Sequence, residues 1–322
     1  MSVPKVLESL ESLEEEGGEG VIALPGGRSL RLTHLDKPYF PDEQITKGAL
    51  LRYYAQVAPV LLPVMRDRPL VLHRFPNGIS DQGFYQQKAP EDVPDVVRTA
   101  KVAVEGGSRE ARVIGGDLST LLWCVQNGVL SVDPWHSRMQ TLDAADYAVL
   151  DLDPGPRARF ARVLSVARCI HEVLDELTLH GAVKTSGASG MHVYLPLPKS
   201  TSYESAELLA TMIATRVVER MPRDATLERA VKARGASTVY VDCLQNVRGK
   251  TVAAAYAVRA RPGAPVSTPL DWAELGEAVD PRDFTRDVVL ERIERQGDLW
   301  ANAMRRPNRL SALARPGRAR KA

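Results

Sequence analysis

Cysteine is scarce: Cys124, Cys169 and Cys243 are the only three in 322 residues, too few and too dispersed for a disulfide framework or a C-x-x-C metal clamp. They read as buried apolar side chains in a reducing compartment. A zinc enzyme would need a His/Asp site, which the six scattered histidines do not announce. No apolar run approaches the length of a membrane span, and the acidic start is unlike a secretory leader, so no membrane partner is expected. The chain also lacks the G-K-[ST] ending of a Walker loop, the G-x-G-x-x-G of a dinucleotide fold and the G-x-S-x-G of a serine hydrolase. What remains has ordinary globular composition, 44% hydrophobic and 25% charged, and is long enough for a large domain.

The formal charge of +2 is unevenly spread. Six glutamates stand against Lys5 in residues 1–20, which read as an acidic peripheral segment. No acid follows Asp298, while seven bases from Arg305 to Lys321 make residues 301–322 a basic C-terminal tail. Such a tail adds nonspecific attraction to a polyanion, or is simply solvated. Residues 21–300 are left as the folded domain.

The centre of that domain is YAVLDLDPG, residues 147–155. An apolar run with strand preferences leads into Asp151 and Asp153, which alternation places on one face with Leu152 on the other. Pro154 and Gly155 end the strand. Paired carboxylates repel unless cations compensate them, which suits a divalent-metal site that organises phosphates. A solvated strand end fits this short motif equally well.

Around it, Val21–Leu24 and Leu30–Leu32 suggest a hairpin across Gly26-Gly27. Thr46 can cap an amphipathic helix, and Leu118–Asn127 reads as a short one. Phe84 and Tyr85, with Lys88 near, suit stacking on an unpaired base, or alternatively the core. In KTSGASGMHVYLPL, two strands flank a Gly/Ser turn that brings backbone close to a ligand; Ser186 adds a hydroxyl and His192 opens the second strand. Thr238–Val241 ends in Asp242, a third acid at a strand end, followed by the polar Gln245. Arg259 and Arg261 are two apart, so both leave one face of the strand expected over 253–260 and suit triphosphate oxygens.

Three acids and two arginines aimed at one sheet edge fit phosphoryl transfer better than hydrolysis of a sugar or peptide. A glycosidase leaves the arginines unexplained. A noncatalytic nucleic-acid binder has no use for converging carboxylates, which repel phosphate without metal. The residues favour a two-metal nucleotidyltransferase, with Asp151 and Asp153 holding two divalent cations and Asp242 completing the one that activates a 3′-hydroxyl.

In order along the chain, LTHLDKPYFP, RFPNG with FYQQK, DPWHSR, DYAVLDLDPG, KTSGASGMHVYLPL and VDCLQNVRGKTVAAAYAVRARPG resemble the polymerase domain of bacterial ligase D, in the archaeo-eukaryotic primase superfamily. The resemblance spans roughly residues 28–300 and implies an α/β primase-polymerase fold, with an RRM-like catalytic sheet embraced by an N-terminal α/β portion. It implies that Asp151, Asp153 and Asp242 are catalytic metal ligands. Ser186, His192, Gln245, Arg259 and Arg261 fall on nucleotide-binding positions, Phe84 and Tyr85 on an aromatic pair that stacks on the template, and Lys37 on a lysine that reads a 5′-phosphate at a gap. His34 lies beside that lysine where relatives usually carry asparagine. Asp133 replaces a frequent histidine, and Ser189 a frequent base.

The implied cofactor is manganese, with magnesium as the alternative, two ions per site. The implied substrates are nucleoside triphosphates, ribonucleotides preferred, and primed or gapped DNA. End-joining or gap-repair proteins are the candidate partners, in a bacterial cytoplasm and on the nucleoid. A length of 322 residues leaves no room for ligase and nuclease domains, so a stand-alone polymerase is expected. A primase acting de novo and a noncatalytic DNA-end binder of the same fold are the alternatives.

Overall fold

The computed structural model describes residues 2–104, 107–276 and 279–310. The chain opens with α1 (Val3–Glu15), then a hairpin of β1 (Gly20–Leu24) and β2 (Arg28–Leu32), and a short pair, β3 (Pro38–Phe40) and β4 (Ile45–Thr46). The acidic segment is therefore not peripheral: Val6 and Leu10 of α1 are buried in the main core. Their four-residue spacing makes an apolar stripe, and the glutamates occupy the wet face.

Thr46 caps α2 (Lys47–Met65) by accepting from the Ala49 amide, as its sequence predicts. Next come β5 (Leu70–Arg74), β6 (Phe84–Gln86), a hairpin of β7 (Thr99–Ala103) and β8 (Arg109–Val113), and α3 (Leu118–Gln126), capped by Asp117. β9 (Val129–Pro134) completes a three-stranded sheet of order β6-β5-β9. Together with α1 to α3 this forms the N-terminal α/β portion.

The second sheet is built from β10 (Tyr147–Pro154), β11 (Ala182–Thr185), β12 (Met191–Pro196), β13 (Ala225–Thr226), β14 (Val239–Asp242) and β15 (Pro269–Leu270). Its order is β13-β14-β10-β12-β11-β15, antiparallel except for β13 beside β14. The helices α4 (Phe160–Glu176) and α5 (Tyr203–Arg220) cover one face, where Leu152 is fully buried. This RRM-like sheet with helices on one side is the fold that the motifs imply.

The chain ends with α6 (Arg286–Gln296) and α7 (Leu299–Met304). The expected tail begins inside α7, where Trp300 is buried, and Asn308 donates to the His180 and Pro196 carbonyls at 2.9 and 3.0 Å. Residues 301–310 thus belong to the folded body; the rest of that tail, 311–322, lies outside the described residues. No helix among the described residues is long and apolar enough to cross a membrane.

Candidate active site

β10 carries the acids to the middle of the sheet. From Tyr147 to Leu150 it is buried on both faces, and at Asp151 the cover starts to open, so that Asp153 reaches solvent. Antiparallel register sets Asp151 directly opposite Asp242 of β14 on one side and His192 of β12 on the other, with Asp153 opposite Tyr240. Residues directly opposed share a face, and i and i+2 share it too. The three carboxylates therefore meet on the face that the helices leave uncovered.

Their mutual cost is visible in their protonation. Burial, then Asp153 and Asp242, push the Asp151 carboxyl well above its ordinary value, against the pull of Lys184 and Arg259. Desolvation at the sheet edge and Asp242 raise Asp153 in turn, and Arg234 opposes them. The donors are hard oxygens, which suit magnesium or manganese better than thiophilic metals. Among the described residues no three His, Cys, Asp or Glu side chains are gathered tightly enough to enclose an ion unaided. An edge open at Asp153 fits a cation whose other ligands are phosphate oxygens and water.

Asp242 is oriented by its own turn. Its carboxylate accepts from the Leu244 amide at 2.7 Å, from the Tyr240 hydroxyl at 3.3 Å and from Gln245 Nε2 at 3.0 Å. Gln245, expected on the nucleotide, here holds the third acid. Arg234 lies over the Tyr240 ring, 3.6 Å from its centroid, on the Asp153 side.

Asn246 is buried where β14 stops pairing with β10. Its side chain takes the missing strand's place, accepting from Val149 N at 2.7 Å and donating to Val149 O at 2.7 Å and to Cys243 O at 2.8 Å. Asn246→Ala strands these buried backbone groups, and we expect a loss on the order of 3 kcal/mol in denaturant unfolding. Loosening the turn that sets Asp242 against Asp151 should lower activity as well. Near-native stability in this variant would contradict the assigned clamp.

The Gly/Ser turn between β11 and β12 is as predicted. Ser186 Oγ accepts from the Ala188 and Gly190 amides, both at 3.1 Å, which leaves its proton to donate elsewhere. Gly187 has φ +70°, and a Cβ there would stand 2.4 Å from Arg259 Cγ. Arg259 thus crosses over the glycine, and its Nη1 donates to Ser186 O at 3.0 Å. Exposed Arg261 shares a cavity of about 640 Å³ with Ser189 and Pro154, at the end of β10.

The strand expected over 253–260 does not form. Val258 makes only an isolated bridge to Val266, and Tyr256 takes a left-handed φ of 70°. Side-chain hydroxyls of α2 hold this segment instead of a ladder: Tyr53 donates to Tyr256 O at 2.8 Å, and Tyr54 accepts from Val258 N at 3.0 Å. Both arginines stand on a turn, where Arg259 N bonds Pro265 O and Ala264 N bonds Arg261 O, and it is Arg259 whose charge reaches Asp151.

His192 lies buried with Nε2 3.4 Å from Asp151 Oδ1 and Nδ1 2.8 Å from Lys184 Nζ. Burial and the neighbouring cations Lys184 and Arg259 lower its pKa well below the ordinary histidine value. Burial first, then Arg259, lowers Lys184 far below the usual lysine range. Sequence reasoning singled out neither Lys184 nor Asn246. For Lys184 the signal was a lysine inside an otherwise buried strand.

Phe84 and Tyr85 are 46% and 60% exposed, so they are not core residues. Tyr85 stacks on His73 at 4.1 Å between centroids, and Arg74 lies over Phe84. Tyr85 and His73 both feel Asp133, Arg259 and Arg261, which places the aromatic strand within the electrostatic reach of the arginines. Buried Asp133 accepts from Ser131 Oγ at 2.6 Å. Farther out, Lys37 donates to Pro76 O at 2.9 Å and to Asn77 Oδ1 at 3.0 Å. Exposed His34 shares its turn: the Lys37 amide bonds His34 O at 3.2 Å.

Opposed carboxylates on the central strands of an RRM-like sheet, with helices behind it, are the arrangement of the primase-polymerase class. Within that class the chain belongs to the LigD primase-polymerase domain family, which matches residues 46–300. It is 32% identical over 291 residues to the bifunctional non-homologous end joining protein LigD of Bacillus subtilis, covering 88% of this chain and 46% of that protein. It is 34% identical over 280 residues to the multifunctional non-homologous end joining DNA repair protein LigD of Mycobacterium tuberculosis, covering 83% of this chain and 36% of that protein. The chain thus spans less than half the length of these relatives. Among solved structures, the polymerase domain of Mycobacterium tuberculosis ligase D in complex with DNA superposes with a TM-score of 0.79 at 32% identity, covering 87% of this chain and 99% of that one.

Proposed function

We propose that the chain is a DNA-dependent nucleotidyltransferase that extends primers and fills short gaps in repair of the end-joining type, with ribonucleotides preferred. The observation that carries this reading is the register that opposes Asp151 to Asp242 with Asp153 two residues on. Asp151, Asp153 and Asp242 would hold two divalent cations, manganese foremost and magnesium as the alternative. Bound there, the cations supply positive charge against a hydroxide-like 3′-oxygen and a departing pyrophosphate.

The chain's own groups do the rest. Arg259 and Arg261 face the negative charge that grows on the leaving phosphates, where fixed donors act without reorganisation. The Ser186 hydroxyl donates to a phosphate oxygen, and His192 steadies Asp151. Gln245 keeps Asp242 turned toward Asp151 and lies beside the nucleotide. Exposed Phe84 and Tyr85 stack on a template base, with sequence-tolerant affinity. Lys37, with His34 beside it, takes a 5′-phosphate across a gap. Such a substrate places the work in the bacterial cytoplasm, with end-joining or gap-repair proteins as candidate partners.

The test is extension with manganese on gapped, recessed and primerless templates, using ribo- and deoxyribonucleotides side by side. We expect addition on the gapped and recessed duplexes, fastest with ribonucleotides. Transfer to none of the three would overturn the reading. Lys37→Ala should remove the preference for a gap bearing a 5′-phosphate, by about tenfold for one lost charge-assisted contact. Equal losses with and without the phosphate would make Lys37 a general DNA contact.

A further inference from the structure

Lys184 has no partner in the chemistry described so far, although its side chain is 0% exposed in the middle of β11. Register places Lys184 opposite His192, His192 opposite Asp151, and Asp151 opposite Asp242. Four polar side chains therefore form one row across four strands, on the face of the acids.

The hydrogen bonds along that row have a direction. Ser267 Oγ donates its proton to Thr185 O at 2.8 Å, so toward Lys184 Nζ, 2.5 Å away, it presents a lone pair. Lys184 donates to it and has a further N–H for His192 Nδ1 at 2.8 Å. An imidazole whose Nδ1 accepts carries its proton on Nε2. Nε2 is the atom that faces Asp151 Oδ1 at 3.4 Å. The opposite tautomer would turn a lone pair toward the ionised carboxylate, so Asp151 selects Nε2–H, and the N–H that Lys184 has left after Ser267 suits the accepting Nδ1.

We propose that Lys184, anchored by Ser267, is a positioning residue that fixes the tautomer and plane of His192, so that Nε2–H steadies the Asp151 carboxylate. The proposal rests on the polymerase reading for its consequence, though not for its geometry. Lys184 touches no substrate; it acts through His192, as the outer partners of metal-site ligands do. A lysine kept only to fill space would be replaced without effect by an unbranched apolar side chain of equal length.

The test compares wild type, Lys184→Met and Ser267→Ala. Ring-nitrogen NMR shifts of histidine-labelled protein, recorded without metal or nucleotide, read the His192 tautomer directly. We expect Nε2–H in wild type and a mixture with Nδ1–H in Lys184→Met. The kcat of Lys184→Met should fall about 10- to 100-fold with the nucleotide KM nearly unchanged, and that of Ser267→Ala should fall less. Where Lys184→Met does not fold, the wild-type spectrum and Ser267→Ala decide. Nδ1–H in an active wild type, or wild-type kcat and tautomer in Lys184→Met, overturns the proposal while the polymerase reading stands. Nε2–H in a wild-type chain that transfers no nucleotide overturns the polymerase reading, leaving the geometry as found.

Discussion

Asp151→Ala with Asp153→Ala abolishes nucleotide addition to a gapped primer, a loss of ~1,000-fold or more, while the chain stays folded. Removing one preorganised charge-stabilising group from a reaction centre typically costs a factor of hundreds, and this pair is asked to hold every cation in the site. Folding survives because Asp153 reaches solvent and the two changes relieve the repulsion that raises the Asp151 carboxyl. Extension that persists in the double variant would remove the proposed metal role.

The single change Asp151→Asn separates chemistry from stability. Burial and the facing acids raise the folded-state pKa of Asp151 above 3.8. The folded metal-free chain thus binds a proton there more tightly than the unfolded one. Stability from this group is full below the unfolded value and falls away as pH rises through the folded one. At neutral pH the asparagine variant is therefore expected to melt higher than metal-free wild type, with the gap closing in acid. Activity and stability move in opposite directions, as at many functional sites. Equal melting temperatures at neutral pH would show that the three carboxylates do not strain one another.

Arg259→Ala raises the nucleotide KM about 10- to 100-fold, the cost of a charge-assisted contact to a phosphate. Arg259 is placed by two observations: it crosses Gly187 to donate to Ser186 O, and its charge reaches Asp151. In the free protein it offsets the acids, and the proposed role has it turn to the triphosphate when one is bound. The change is expected in nucleotide dependence far more than in affinity for DNA. A variant that loses DNA binding yet keeps its nucleotide KM would reassign the arginine to the primer or template strand.

Much of this site was legible in the chain. Strand alternation alone set Asp151 and Asp153 on one face, and the Ser-Gly stretch announced a turn between two strands. Thr46 announced its helix, because capping is local chemistry. What was hidden depends on strand order. That Asp242 and His192 flank Asp151, and that Lys184 continues the row, follows from the β14-β10-β12-β11 sequence of neighbours, which no local pattern encodes. Residues 253–260 misled because an apolar alanine-rich run looks like a buried strand. Hydroxyls from Tyr53 and Tyr54, some two hundred residues away, satisfy its backbone instead. Residues 1–20 misled in the other direction, since six glutamates masked the Val6 and Leu10 stripe that docks α1. Asn246 looked like an ordinary loop polar residue, and only its two bonds to Val149 distinguish it.

The most direct test is a manganese titration of the chain with a gapped duplex and a non-hydrolysable nucleoside triphosphate, followed by electron paramagnetic resonance of the free ion. We predict two bound ions per wild-type chain and loss of at least one in Asp151→Asn and in Asp242→Asn. Full occupancy in both variants would mean that the opposed aspartates are not where the cations sit.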